Sequence, residues 1–435
     1  MRPRPFDHGE LRLHPVSLSV DEVDRYYRGF SNAILWPLFH GRLRRVELNR
    51  AWWNAYRVVN RRFANAVAHV APLGGTVWVH DYHLLLAPAM IREKRPDLRI
   101  GLFLHIPFPN AQLFAMLPWR EQVIKGMLGA DVVGFQVPDD VDNFMAAAKR
   151  LIDPRILGRT IYEGSRSVDV DAFPISIDFA SWDSLGEQTA AAALKNRRDL
   201  GVDSVLLGID RLDYTKGISQ RLRAFGELLD QGQLASDKCT FVQVAVPSRS
   251  DVAAYEDERD EVEQLIERIN AKHPRPNGST PVHYIDYSLD EVELASWFRA
   301  ADALVVTSLA DGMNLVAKEF VAARGDLDGV VILSEFAGAA QDLDGAIIIN
   351  PYDIEDIKAA LMTALEMPLV ERAARLRTMR AAVRYNDVHR WARTFLNRLR
   401  SSSAIRAEDL VLRPKTTELA NDRDRGTELV ETIPS

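Results

Sequence analysis

The chain has one cysteine, Cys239, so an internal disulfide is excluded and a reducing, cytoplasmic setting is expected. No apolar run approaches the roughly 20 residues needed to span a bilayer. The opening MRPRPFDHGE has no apolar stretch behind its basic residues and does not read as a signal peptide. No basic block stands out, and the formal net charge is −7, which argues against a general nucleic-acid binder and against a membrane-surface protein. There is no internal repeat and no Asp-x-Asp-Gly-Thr motif, the mark of a phosphatase nucleophile. Glycine is scarce where it would matter: the first 70 residues hold only Gly9, Gly29 and Gly41, widely spaced. A doubly wound domain that binds phosphate normally opens with a strand, a glycine-rich loop and a helix. The first half therefore reads as starting after the unit that should open it.

What is present is a long alternation of short apolar runs and amphipathic stretches. At 435 residues, 47% of them hydrophobic, the chain suits two cores rather than one. TVWVHD (76–81), IGLFLH (100–105) and VVGFQV (132–137) read as strands, with FPISID (173–178) as a further candidate. The second half adds VLLGID (205–210), FVQVAV (241–246), VHYIDY (282–287), ALVVTS (303–308), VVILSE (330–335) and AIIINP (346–351). Unbroken apolar runs of this length suit strands covered on both faces. Between them, Val262, Leu265, Ile266 and Ile269 fall at helical spacing with charged residues on the other side. The expectation is an α/β protein with two doubly wound Rossmann-like domains, 1–178 and 204–401, joined by a linker over 179–203. The last helix is left free to cross back to the first domain. Residues 402–435, rich in Ser, Thr and charge, read as a disordered tail.

In such folds ligands bind beyond the carboxyl ends of the strands, and the unusual polar residues cluster there. LLGIDRLDYTKGI (206–218) ends a strand in Arg211 and Lys216, a planar fork and a mobile point charge suited to a diphosphate. The plain alternative is surface pairing with Asp210 and Asp213. SLADGMNLVAKEF (308–320) follows another strand. Gly312 permits a tight turn, the next residues start a helix whose free amides suit phosphate, and Glu319 suits ribose hydroxyls. An ordinary loop with a solvated glutamate is the plain alternative. Asp81 and His105 each end a first-half strand, Tyr27 and Trp36 lie near a chain turn at Pro37, and Arg249 follows a second-half strand. A metal at His80, Asp81 and His83 is disfavoured, because no helix brings an i, i+4 ligand pair and no cysteine joins them.

As a set, FSNAILWPLFH, VHDYHLLLAPAMIREKRPDLRIGLFLHIPFP, DRLDYTKGI and DGMNLVAKEF resemble the trehalose-6-phosphate synthases, in the bacterial form without a fused phosphatase, over about residues 11 to 400. The resemblance implies the GT-B arrangement and a retaining, metal-independent transfer of glucose from a nucleoside-diphosphate glucose to glucose 6-phosphate. It implies no cofactor beyond these co-substrates and no nucleic-acid or membrane partner, and leaves a homo-oligomer and the donor base open. By motif, Arg211 and Lys216 bind the donor diphosphate, and Leu315, Val316, Ala317, Lys318 and Glu319 hold the nucleotide and its ribose. Asp311, Gly312, Met313 and Asn314 meet the transferring glucose. Tyr27, Trp36 and Asp81 line the acceptor site, Arg249 reaches the acceptor phosphate, and His105 touches the donor sugar at the reaction centre. The family's opening strand with its Gly-Gly loop has no counterpart here, and Ser308 and Ala310 replace a Pro and an Arg. These departures lead to the expectation of weak transfer by the chain as given. They keep two alternatives in view: a non-catalytic or regulatory paralogue, and a transferase with another phosphorylated acceptor such as glycerol 3-phosphate.

Overall fold

The computed structural model describes residues 5–42, 47–247 and 253–402. A two-stranded hairpin, β1 (Phe6–His8) and β2 (Leu11–Leu13), precedes the first sheet. That sheet is built from β3 (Thr76–His80), β4 (Arg99–Phe103), β5 (Val132–Phe135), β6 (Arg155–Leu157), β7 (Thr160–Glu163) and β8 (Arg166–Ala172), in the order β3-β4-β5-β8-β7-β6. The pairings β3 to β4, β4 to β5 and β5 to β8 are parallel, and β7 and β6 extend the sheet antiparallel. Every side chain of β5 is buried, as its unbroken apolar run requires. FPISID is not a strand: the strand is the preceding Arg166–Ala172, and residues 173–178 run on without sheet pairing.

The second sheet is wholly parallel. Its strands are β9 (Ser204–Arg211), β10 (Cys239–Val246), β11 (Val282–Ile285), β12 (Ala303–Val306), β13 (Val330–Ser334) and β14 (Ile347–Ile349), in the order β11-β10-β9-β12-β13-β14. The order reverses at β9 and β12, the switch point where a doubly wound sheet leaves a crevice for a ligand. Residues 179–203, read from sequence as a linker, hold two helices, Phe179–Gln188 and Ala190–Leu200.

The last helix, Val388–Ser402, returns to the first sheet. Its Phe395 is fully buried, stacked on Trp78 at 4.5 Å between ring centres, and Trp391 Nε1 donates to the carbonyl of Phe173 at 3.1 Å. The segment 403–435, read as a disordered tail, lies outside the described residues.

Before β3 comes an unusual helix. Ser19 and Glu22 form a reciprocal capping box that starts a short α-turn, Val20–Glu22. Thirteen residues, Val23–Leu35, then wind as a π-helix, and Trp36–Phe39 closes as an α-turn with Pro37 in its first turn. Pro37 thus lies within a helical run rather than at a chain reversal, and its missing N–H falls where the winding changes from π to α. π-Helices are rare and mostly confined to one turn. Nine residues separate Tyr27 from Trp36, about two turns of this wider helix against two and a half of an α-helix, so both rings reach one side.

Candidate active site

On the first sheet, the strand ends carry the polar groups. Asp81 follows β3 with φ 71°, a left-handed backbone that residues other than glycine rarely adopt. The strain is fixed by hydrogen bonds: Asp81 N donates to the carbonyl of Phe103 at 2.7 Å, and His105 N donates to Asp81 Oδ1 at 3.3 Å. His105 lies at the mouth of β4 with its Nε2 3.1 Å from His80 Nδ1. Burial, then the neighbouring His80, lowers the His105 pKa to about 4, so the ring is neutral near pH 7. Tyr27 stacks on His83 at 5.5 Å with ring planes 12° apart, and Trp36 packs on His40 at 4.1 Å.

On the second sheet, the pairing differs from the surface pairs the sequence suggested. Asp210 is buried and faces Arg221 at 2.7 Å, and Arg221 Nε donates to Gln243 Oε1 at 2.9 Å. Asp213 accepts from Thr215 N and Oγ1, at 3.0 and 2.9 Å, and from the Tyr255 hydroxyl at 3.2 Å. Arg211 instead lies over the Trp36 ring, 5.5 Å from its centre. Lys216 Nζ donates to Asp311 Oδ2 at 2.5 Å, a contact between side chains 12% and 15% exposed. Burial works against the Lys216 charge, but Asp311 and Asp210 outweigh it and hold its pKa above the ordinary value. Burial also opposes the Asp311 carboxylate, yet Lys216 and Asn314 keep its pKa below the usual range. Ser308 Oγ and Asn314 Nδ2 donate to the same Asp311 oxygen, at 3.3 and 3.2 Å.

The loops approach closely because they carry glycine. Gly217 has φ 63°, and a Cβ there would lie 2.1 Å from the carbonyl oxygen of Thr307. A Cβ on Gly312 would lie 2.2 Å from the carbonyl oxygen of His105, so the strand-end loops of the two sheets touch backbone to backbone. Between them is a cavity of about 340 Å³. Tyr27, Trp36, Asp81 and His105 line it from the first sheet's side, Arg211, Lys216, Asp311 and Gly312 from the second.

Comparison with known proteins decides the family. The profile of glycosyltransferase family 20 matches residues 4–401. The chain belongs to glycosyltransferase family 20. Among its family relatives, the trehalose-6-phosphate synthase of Mycobacterium marinum is 46% identical over 418 residues, 92% of this chain and 83% of that protein. The one from Mycolicibacterium smegmatis is 45% identical over 407 residues, 91% and 81% of the two chains. Among solved structures, a UDP-forming α,α-trehalose-phosphate synthase from Burkholderia xenovorans, in complex with glucose 6-phosphate, superposes with a TM-score of 0.87. It is 36% identical and covers 91% of this chain and 90% of its own. An E. coli structure bound with UDP-2-fluoro glucose gives a TM-score of 0.86 at 35% identity, covering 91% and 88%. The family's fold is GT-B, and the chain is a glycosyltransferase of the trehalose-6-phosphate synthase type.

Several residues that the family resemblance singled out do not line the cavity. Met313 and Asn314 lie just behind the Gly312 turn, and Asn314, with φ 89°, caps the helix Leu315–Ala323 by accepting from Ala317 N at 3.0 Å. Leu315 and Val316 are half-buried, and Ala317 is buried against the sheet. The Lys318 side chain is committed elsewhere: its ammonium bonds Asp342 at 2.6 Å and the carbonyl of Ile175 at 2.9 Å. Glu319 has no hydrogen-bond partner among the described residues, and burial, then Glu291, pushes its pKa up to about 7. Arg249 lies outside the described residues. Four lining residues escaped the assignment drawn from sequence: His40, Tyr82, His83 and Ile106. Only the two histidines carried a signal, as polar residues beside apolar motifs.

Proposed function

We propose that the chain transfers glucose from UDP-glucose to glucose 6-phosphate with retention of configuration, forming α,α-trehalose 6-phosphate. The observation that carries the reading is the cavity shared by both sheets, with aromatic and carboxylate groups on one side and two cations on the other. Uracil is taken as the base because the names of the relatives with solved structures include it.

Arg211 and Lys216 hold the diphosphate. Negative charge grows on its leaving oxygen as the anomeric C–O bond breaks, so fixed cations there stabilise the transition state more than the ground state. Asp311 and the backbone at Gly312 hold the glucosyl unit. Tyr27, Trp36 and Asp81 seat the acceptor hexose, and His105 bonds the donor sugar. The acceptor hydroxyl oxygen bonds the anomeric carbon on the face the phosphate leaves, and its proton passes to the departing phosphate oxygen. No pair of carboxylates is required, unlike glycoside hydrolysis. Glu319, positioned one turn into its helix, accepts from the ribose.

The test is UDP release from UDP-glucose with glucose 6-phosphate, glycerol 3-phosphate or neither added, and proton NMR of the product. Release that needs glucose 6-phosphate, with an α,α linkage, is expected. Release driven by glycerol 3-phosphate would identify a different transferase, and binding of both sugars without release would identify a non-catalytic paralogue.

A further inference from the structure

His40 is a polar ring that closes the motif FSNAILWPLFH yet has no role in the mechanism above. It is 7% exposed, it lines the cavity, and it sits where the Trp36 wall meets the Lys216–Asp311 pair. Its Nδ1 lies 2.7 Å from the backbone carbonyl oxygen of Trp36. A carbonyl oxygen only accepts, so Nδ1 carries the proton and donates, and a neutral His40 must then have a bare Nε2. Burial lowers the His40 pKa to about 4; the Trp36 carbonyl, Asp213 and Asp311 pull it up, and Lys216 pushes it down. The ring is therefore neutral near pH 7. Among the described residues Nε2 has no hydrogen-bond partner, although the ring is more than nine-tenths buried. Nε2 is not fully enclosed and opens onto the cavity, where a bound hydroxyl can serve it as donor.

We propose that His40 Nε2 accepts a hydrogen bond from a hydroxyl of the glucosyl unit being transferred. The ring offers only an acceptor at this point, which suits a neutral hydroxyl and repels a phosphate oxygen. The donor sugar is favoured over the acceptor because the charged groups that act on the ring, Asp213, Asp311 and Lys216, all lie on loops of the second sheet, the side assigned to the donor. The proposal rests on the function proposed above.

Two measurements test it. In the full chain labelled with 15N-histidine, the His40 Nε2 resonance, assigned by its loss in His40→Asn, should report the Nδ1–H tautomer. It should move toward the hydrogen-bonded position when UDP-glucose binds and stay in place when UDP binds. Calorimetry on the same sample separates the two readings. UDP-glucose that fails to bind overturns the proposed function and this inference with it, whereas UDP-glucose that binds without moving the resonance overturns the inference alone. In steady-state assays His40→Asn keeps an amide for the Trp36 carbonyl but loses the cavity-facing acceptor, and His40→Gln does the reverse. Asn should lose about 10- to 100-fold in kcat/KM for UDP-glucose, the scale of one buried hydrogen bond to a sugar hydroxyl, with UDP affinity kept, and Gln should recover part of that loss. Activity retained by Asn and lost by Gln would make His40 a prop for Trp36. A change confined to the KM for glucose 6-phosphate would move the hydroxyl to the acceptor and overturn the assignment.

Discussion

Replacing Gly312 by alanine puts a methyl carbon 2.2 Å from the carbonyl oxygen of His105 and 3.2 Å from the Cα of Ile106. Ordinary contact needs more than a further ångström, and neither side can yield it locally. The His105 segment is pinned by Asp81 at 3.3 Å and, three residues on, by Asp140 Oδ1, which accepts from Phe108 N at 2.7 Å. The facing loop is pinned by Asp311 N, which donates to the Phe336 carbonyl at 3.0 Å, and by Gly338 N, which donates to the Asp311 carbonyl at 3.1 Å. With both loops fixed to their own sheets, the methyl group must push the sheets apart. Overpacking of this kind costs about 1–3 kcal/mol. Because the contact joins the two sheets and lies in neither core, the cost should fall on closing the cleft, not on folding either half. At about 1.4 kcal/mol per tenfold, kcat/KM for UDP-glucose should drop roughly 5- to 150-fold. The melting temperature should be nearly unchanged, and calorimetric affinity for UDP alone should stay within about threefold of wild type. Steady-state kinetics at saturating glucose 6-phosphate reads the first quantity. Wild-type kcat/KM in a folded Gly312→Ala protein would refute the argument, because it would mean that the reacting state does not bring these loops together.

Three further outcomes follow from the same structure. If Lys216 holds the diphosphate as proposed, Lys216→Ala should weaken UDP binding by about 1.5–3 kcal/mol; unchanged affinity by calorimetry would remove Lys216 from the donor site. Asp140 should make stability depend on pH: burial pushes its carboxyl up to about 7, and its Oδ2 is buried without a hydrogen-bond partner among the described residues. With the folded pKa above the ordinary 3.8, its contribution is present in acid and lost as pH climbs toward 7. Asp140→Asn should therefore gain on wild type between about pH 4 and pH 7 in urea denaturation, and parallel profiles across that window would contradict this. Phe395→Ala deletes a fully buried ring of the returning helix and should cost about 3–5 kcal/mol. The loss should appear in unfolding of the first sheet with UDP affinity retained, and equal loss of both would argue that the halves unfold as one.

The strands of the second sheet were legible because burial on both faces writes itself as unbroken apolar runs. The strand Arg166–Ala172 was not, because Asp169 and Asp171 interrupt it; the structure satisfies them with Arg398, at 3.1 Å, and Arg159. No local pattern reveals such remote partners, so the neighbouring and more apolar 173–178 took its place. The cavity shows the same division. Arg211, Lys216, Asp81 and His105 stood out as charged or polar residues ending apolar strands. That Lys216 meets Asp311, 95 residues away, could only come from bringing β9 and β12 side by side. His40 was hidden by its setting, a lone ring at the end of an apolar motif, where a packed histidine is the ordinary explanation.

The π-helix Val23–Leu35 has a consequence for how the Tyr27 and Trp36 wall of the cavity tolerates change in chain length. Each of its turns holds more residues than an α-turn, so the segment carries surplus chain. Losing one residue would not break it, since the backbone can relax to the tighter and intrinsically better i to i−4 bonds. The same deletion would swing Tyr27 by about 80° relative to Trp36, away from His83 and the cavity. A search for folded variants would keep that deletion, and a search for glucosyl transfer would discard it. In this stretch, the count of residues is itself a specificity element, separable from the identity of any one of them.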